Sequence, residues 1–191
     1  MKQHMRASVI GAGGFGTAIA QAFSTNASEV LLFGRDKEVL NSVNAHHVNP
    51  KYHPFVKLNR NVRAFDVERD AQHLQESDLV IFSVPSGATR QVSRNVNKYL
   101  KDKVIISTAK GVELPAMCTM SRVISQDTSN QNLVSFSGPT FGDELIQGFF
   151  SCATLGVDDK KHTDAVTRLL RTPSLILDFS DDVEGENGAA S

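Results

Sequence analysis

Gly11, Gly13, Gly14 and Gly16 crowd into the six residues GAGGFG, directly after the apolar run Ser8-Val9-Ile10 and directly before Thr17-Ala18-Ile19-Ala20. Four flexible residues would weaken the middle of a strand or a helix, so the run belongs at the seam between the two. Each glycine then has its own task. Gly11 permits the tight turn out of the strand, Gly13 keeps side-chain atoms out of the way of a ligand diphosphate, and Gly16 lets the helix lie close to the sheet. The first N–H groups of that helix, at the positive end of its dipole, face the phosphates. A strand before and a helix after distinguish such a cradle from a glycine-rich turn with no ligand.

Three further places carry chemistry. The second apolar run, EVLLF at 29–33, leads into Gly34, Arg35 and Asp36. In a dinucleotide cradle the end of this strand reads the adenosine ribose, a carboxylate bonding the 2′-hydroxyl and an arginine accommodating a 2′-phosphate. The strand-end position is Gly34, with no carboxylate, and the permanently charged fork of Arg35 suits a phosphate or stacking on adenine. Asp36 reads as the cap of the next helix. The expected cofactor is NAD or NADP, with a lean to NADP or to use of both. Lys110 follows the apolar run KVIIST between the small residues Ala109 and Gly111. A lysine at the C-terminal end of a strand sits where open α/β sheets bind ligands, and it suits a phosphorylated substrate carrying about two negative charges. Its alternative is a solvated surface lysine. Thr140, in SGPTFGDE, reads both as a substrate contact and as an N-cap beside Glu144. Tyr52 either meets a ligand or packs its own loop. Phe141, Phe149 and Phe150 read as core.

The elements that must hold these residues alternate. ASVI, EVLLF, DLVIFSV, KVIIST, LVSFS, CATLGV and SLILDF are short runs with little polar alternation, as in strands buried on both faces. Between them Ala18, Ile19, Ala22 and Phe23 form one helical stripe, as do Val39, Leu40 and Val43, and Val92, Val96 and Leu100. DDKKHTDAVTRLLR begins acidic and ends basic, as the helix dipole favours. The predicted fold class is α/β, a doubly wound, mostly parallel, Rossmann-like sheet.

With 191 residues, the chain forms one domain with at most an appendage. Forty per cent apolar and 21% charged residues are ordinary for a globular protein, and a net charge of −1 gives no footprint for nucleic acid or an anionic membrane. Cys118 and Cys152 fit neither a disulfide framework nor a zinc site. No apolar run reaches the length of a membrane span, and the apolar segment of the N-terminus is too short for a secretory signal. The expected location is cytoplasmic. The oligomeric state is left open, a homodimer included.

GAGGFGTAIA, FGRDKE, NPKY, VIFSVPS, STAKGVE and SGPTFGDE occur in that order. Together they resemble the N-terminal domain of NAD(P)-dependent glycerol-3-phosphate dehydrogenases over roughly residues 5–183. The last two motifs are not general features of dinucleotide-binding sheets and make the resemblance specific. It implies reversible hydride transfer between C2 of sn-glycerol 3-phosphate and a nicotinamide, with dihydroxyacetone phosphate as the ketone. Carried onto this sequence, it implies that Gly14 and Phe15 line the diphosphate, with Arg35 and Tyr52 near the adenosine. Val84 and Pro85 end the fourth strand beside the cofactor. Lys110 touches both the nicotinamide side and the substrate, Gly138 and Thr140 hold the substrate, and Gly142, where the family often has alanine, approaches the cofactor again.

One departure stands out. The family's general acid/base is a lysine on a helix just beyond the sequence corresponding to Asp181-Asp182-Val183, at the start of an all-α substrate domain. Here EGENGAAS follows, and Lys161 is the last lysine. Ketone reduction needs a proton donor at the developing alkoxide, a contribution of about 10²–10⁴-fold. The expected layout is a dinucleotide-binding domain over 1–183 and a flexible tail over 184–191, with the C-terminal all-α domain missing. No catalytic residue of that kind is then present, and the chain by itself is inactive. A non-catalytic NAD(P)-binding module or sensor derived from the family is the alternative. A ketopantoate or 6-phosphogluconate type of reductase is a third, opposed by STAKG and SGPTF.

Overall fold

A computed structural model describes residues 5–114, 117–128, 130–157 and 160–183. The expected tail at 184–191 lies outside the described residues. Five parallel strands come first: β1 (Arg6–Ile10), β2 (Glu29–Gly34), β3 (Val62–Asp66), β4 (Leu79–Phe82) and β5 (Val104–Ser107). A short antiparallel hairpin, β6 (Val112–Glu113) with β7 (Cys118–Thr119), precedes β8 (Leu133–Ser137), β9 (Ser151–Val157) and β10 (Leu175–Ser180). The helices are α1 (Gly14–Ser24), α2 (Lys37–His46), α3 (Ser86–Val96), α4 (Met120–Thr128), α5 (Gly142–Ile146) and α6 (Lys160–Leu170).

The main sheet runs β10-β9-β8-β5-β4-β1-β2-β3. From β3 to β8 every pairing is parallel; β9 pairs antiparallel to β8, and β10 runs with β9. The strand order therefore reverses between β1 and β4, and the crevice beyond their carboxyl ends is the place such sheets bind ligands.

Alternating side chains feed two cores, one on each face. Val9, Leu32 and Ile81 pack with Ile19, Phe23 and Val43 of α1 and α2. Ile10, Phe33, Phe82 and Ile105 pack with Val96 of α3 and Ile124 of α4. The stripes read from sequence hold: Ala18, Ile19, Ala22 and Phe23 are buried, as are Val39, Leu40 and Val43.

Three phenylalanines do not hold. Phe141, Phe149 and Phe150, expected in the core, are 65%, 57% and 71% exposed. They flank α5, which is only five residues long and buries Leu145 and Ile146 instead. β3, the hairpin and α4 were not read from sequence. β3 is an edge strand carrying exposed Arg63, whose charge hid its period.

Candidate dinucleotide site

The glycine turn is built by close approaches. The N–H of Gly11 donates to the carbonyl of Phe33 at 2.8 Å, and Gly11 adopts φ +121°. A Cβ there would overlap the Ser83 carbonyl oxygen beyond β4, and a Cβ on Gly16 would overlap the Gly11 carbonyl oxygen. These two glycines let β1, α1 and the end of β4 meet. A Cβ on Gly13 would meet nothing within 4 Å. The protein itself imposes no need for glycine at 13, which fits a position kept bare for a ligand.

No side chain caps the N-terminus of α1, and its first turn holds no acid. α2 is the contrast, since the Asp36 carboxylate accepts from the N–H groups of Glu38 and Val39 at 3.1 and 3.4 Å. α3, whose N-cap is Pro85, is likewise uncapped by a side chain and has no acid in its first turn. Both uncapped ends border one cavity of about 490 Å³, lined by Gly13 to Gly16, Ser83 to Ser86, Thr108 to Lys110, Phe136 to Gly138, and Thr140. Lys110 is its one ionisable lining side chain among the described residues. Uncapped N–H groups, a bare approach at Gly13 and one cation make a set of donors that fits a dinucleotide diphosphate.

A family model described as "NAD-dependent glycerol-3-phosphate dehydrogenase N-terminus" matches residues 6–163. This chain belongs to that family. It is 45% identical over 181 residues to glycerol-3-phosphate dehydrogenase [NAD(P)+] of Methanothermobacter thermautotrophicus, covering 95% of this chain and 56% of the relative. The Neorickettsia sennetsu enzyme of the same name is 32% identical, with 93% and 52% covered. Among solved structures, Plasmodium falciparum glycerol-3-phosphate dehydrogenase superposes with a TM-score of 0.85 at 26% identity, over 94% of this chain and 53% of that one. The chain thus spans about half the length of the relatives it matches.

Of the residues that the glycerol-3-phosphate dehydrogenase motifs single out, Gly13, Gly14, Phe15, Gly16, Val84, Pro85, Lys110, Gly138 and Thr140 line this cavity. Gly11 lies beneath it as a turn. Arg35, Tyr52 and Gly142 do not line it. Arg35 is exposed just beyond β2, and the loop carrying Tyr52 is drawn towards that segment by the Lys51–Asp36 ion pair at 3.4 Å. The position of Gly142 is set by packing, because a Cβ there would lie 3.3 Å from the Phe15 Cα. The capping role of Thr140 falls away. α5 starts after Phe141 with no side-chain cap, while the Thr140 hydroxyl donates to the Cys152 carbonyl at 2.6 Å.

Sequence reasoning missed the residues that hold the turn from behind. Asn49, fully buried, donates to the Ala12 carbonyl at 3.1 Å and to the Thr17 hydroxyl at 2.8 Å, while its carbonyl oxygen accepts from the N–H groups of Lys51 and Tyr52. His53 reaches the Gly14 carbonyl from the same loop. Phe136 meets the Phe15 ring edge-on, with centroids 5.9 Å apart. The only signal for Asn49 and His53 was the motif NPKYH itself, whose order gives no hint of which atoms it holds.

Proposed function

We propose that the chain binds NAD or NADP across the β1–β4 crevice and forms the cofactor half of a glycerol-3-phosphate dehydrogenase. One observation carries the reading: the uncapped first turn of α1 opens onto a cavity whose single ionisable lining side chain, among the described residues, is Lys110. In this reading the N–H groups of Gly14, Phe15 and Gly16 hold the diphosphate, with Gly11 and Gly13 giving it access. Arg35 and Tyr52 meet the adenosine end, Val84 and Pro85 form the wall beyond β4, and Gly142 supports the turn from α5. When bound, the nicotinamide supplies or accepts a hydride at C2 of the substrate, sn-glycerol 3-phosphate or dihydroxyacetone phosphate.

Lys110 holds the phosphorylated triose and screens its charge beside the cofactor. Gly138 and Thr140 shape the other side. The Thr140 hydrogen is committed to Cys152, so its oxygen is left to accept from a substrate hydroxyl. Lys110 is thereby used in binding, and the proton for the alkoxide comes from a further group, assigned by the resemblance to a lysine on a helix after the position of Val183. Residues 1–183 act as one dinucleotide-binding unit in a reducing, cytoplasmic compartment. A cysteine count of two, too small for a disulfide framework, supports this. The exposed Phe141, Phe149 and Phe150 support self-association, a homodimer being the simplest form.

The same single ionisable group favours a second reading, a non-catalytic dinucleotide-binding module. Calorimetric titration of the 191-residue chain with NADPH and NADH tests the shared claim, and saturable binding is expected. A steady-state assay with dihydroxyacetone phosphate is expected to show negligible turnover, because among the described residues no ionisable side chain besides Lys110 lines the cavity to supply the proton. Turnover of several per second would make Lys110 the acid. No binding of either cofactor would end both readings.

A further inference from the structure

Outside the cavity, two arginines and two carboxylates form one cluster around Arg90. Arg90 of α3 donates from Nε and Nη2 to the two carboxylate oxygens of Glu113, at 2.6 and 2.5 Å, a bidentate pair. Its Nη1 donates to Asp127 of α4 at 3.0 Å, and Nη2 also reaches the Gln126 side-chain oxygen at 3.1 Å. Arg94, one turn further along α3, donates to the other Asp127 oxygen at 3.2 Å. The group is partly shielded, with side-chain exposures of 26% for Arg90, 30% for Glu113 and 10% for Asp127. Arg90 holds the Glu113 carboxyl below its ordinary range.

The place of this cluster in the chain gives it meaning. Lys110 lies between two anchors. On its N-terminal side, the N–H and the hydroxyl of Thr108 both donate to the Phe82 carbonyl, at 3.0 and 3.1 Å. On its C-terminal side, Gly111 takes φ +101° and the chain enters a hairpin of only two residue pairs. Two pairs do not fix a loop by themselves. The Glu113 fork does, and it fixes the loop to the helix that starts at the cavity with Ser86, one turn before Arg90. Two positive and two negative charges cancel, so the cluster changes the field at the cavity little. What it supplies is geometry.

We propose that Arg90 is a positioning residue for Lys110, acting through Glu113, with Asp127 orienting the guanidinium. The proposal rests on the functional reading above, with Lys110 beside the bound cofactor and, as the family resemblance implies, touching its nicotinamide side. Lysine at 90 keeps the charge and loses the planar fork, so it does not replace arginine.

A double-mutant cycle in the 191-residue chain tests this, with NADPH as the probe and calorimetry as the readout. Arg90→Ala is expected to weaken NADPH binding about tenfold, and less than about twofold once Lys110→Ala is present, because the two act as one unit. Arg90→Lys is expected to recover only part of the loss. A purely structural role would cost the same factor in both backgrounds, and that result overturns the proposal, as does an Arg90→Ala chain that binds normally. Should Arg90→Ala fail to fold, Glu113→Gln on the hairpin serves in the same cycle. Deuterium labelling of backbone amides followed by peptide mass spectrometry reads the clamp without ligand, through the segment that carries the exposed Lys110. Residues 108–114 are expected to exchange faster when Arg90 or Glu113 is changed, and unchanged labelling overturns the proposal. If the unaltered chain binds no NADPH, the functional reading fails, and the labelling result still decides the clamp.

Discussion

The Nε2 atom of His53 lies 2.8 Å from the carbonyl oxygen of Gly14, on an imidazole that is 4% exposed. A carbonyl only accepts, so Nε2 carries the hydrogen. The ring's other nitrogen faces Asp143 of α5 at 3.4 Å. One side chain thus ties the 49–53 loop and α5 to the turn expected to hold a diphosphate.

Replacing His53 by alanine leaves the Gly14 carbonyl without this donor. A loss of about 1–3 kcal/mol in folding stability is expected, together with weaker binding of both cofactors. Urea unfolding and calorimetry check it, and a variant with unchanged midpoint would show that the strut carries no load.

Gly13→Val separates folding from binding. The added side chain meets no protein atom at its Cβ, so the melting temperature is expected to stay within a few degrees. Cofactor affinity is expected to disappear, because the branched side chain occupies the diphosphate's approach. Unchanged affinity would remove the dinucleotide from this turn.

Arg35 is expected to discriminate between cofactors. Arg35→Ala should weaken NADPH more than about tenfold, as for a lost charge-assisted hydrogen bond, and NADH much less. Equal losses would mean that the guanidinium stacks on adenine without reading a 2′-phosphate.

Asp36 gives a pH signature. Its carboxyl is held below the ordinary aspartate range, first by the hydrogen bond from the Val39 N–H, with help from Lys51. A depressed folded-state pKa means that the contribution is fully present above the unfolded value and is lost as pH falls through the folded one. Asp36→Ala is therefore expected to lower the melting temperature by a few degrees near neutral pH. The gap to the unaltered protein should close below about pH 3.8. A gap that stays constant down to strongly acid solution would show that the cap does not depend on the charge.

The parts of this molecule legible in sequence were those whose cause is local. Gly16 was readable because the carbonyl it packs against, that of Gly11, lies within the same six residues, and Asp36 because a cap acts on N–H groups two and three residues on. Asn49, His53 and the Arg90 cluster were not, since Ala12, Gly14, Glu113 and Asp127, the groups they hold, lie 23 to 39 residues from them and nothing in the order of residues names them. The antiparallel entry of β9 was hidden for a related reason: a strand buried on both faces looks the same in either direction. Phe149 and Phe150 show the opposite failure. Residue type predicts a wish for burial, and only the fold decides whether anything is there to supply it.

Gly34 has a consequence for how cofactor preference can change. A Cβ at 34 would lie 2.8 Å from the Ala12 Cβ and 3.2 Å from a Leu40 methyl, so the strand end is closed to any side chain, a ribose-reading carboxylate included. The obstacle is Ala12, inside the glycine run itself. Exchanging Ala12 for glycine first would open the place, at about 1 kcal/mol in extra chain freedom. The order of the two steps is thus forced, because the carboxylate is unacceptable before the glycine and the glycine has no benefit before the carboxylate. Lineages and designers alike face a valley along that path, and the shorter way to retune the cofactor is through the exposed Arg35.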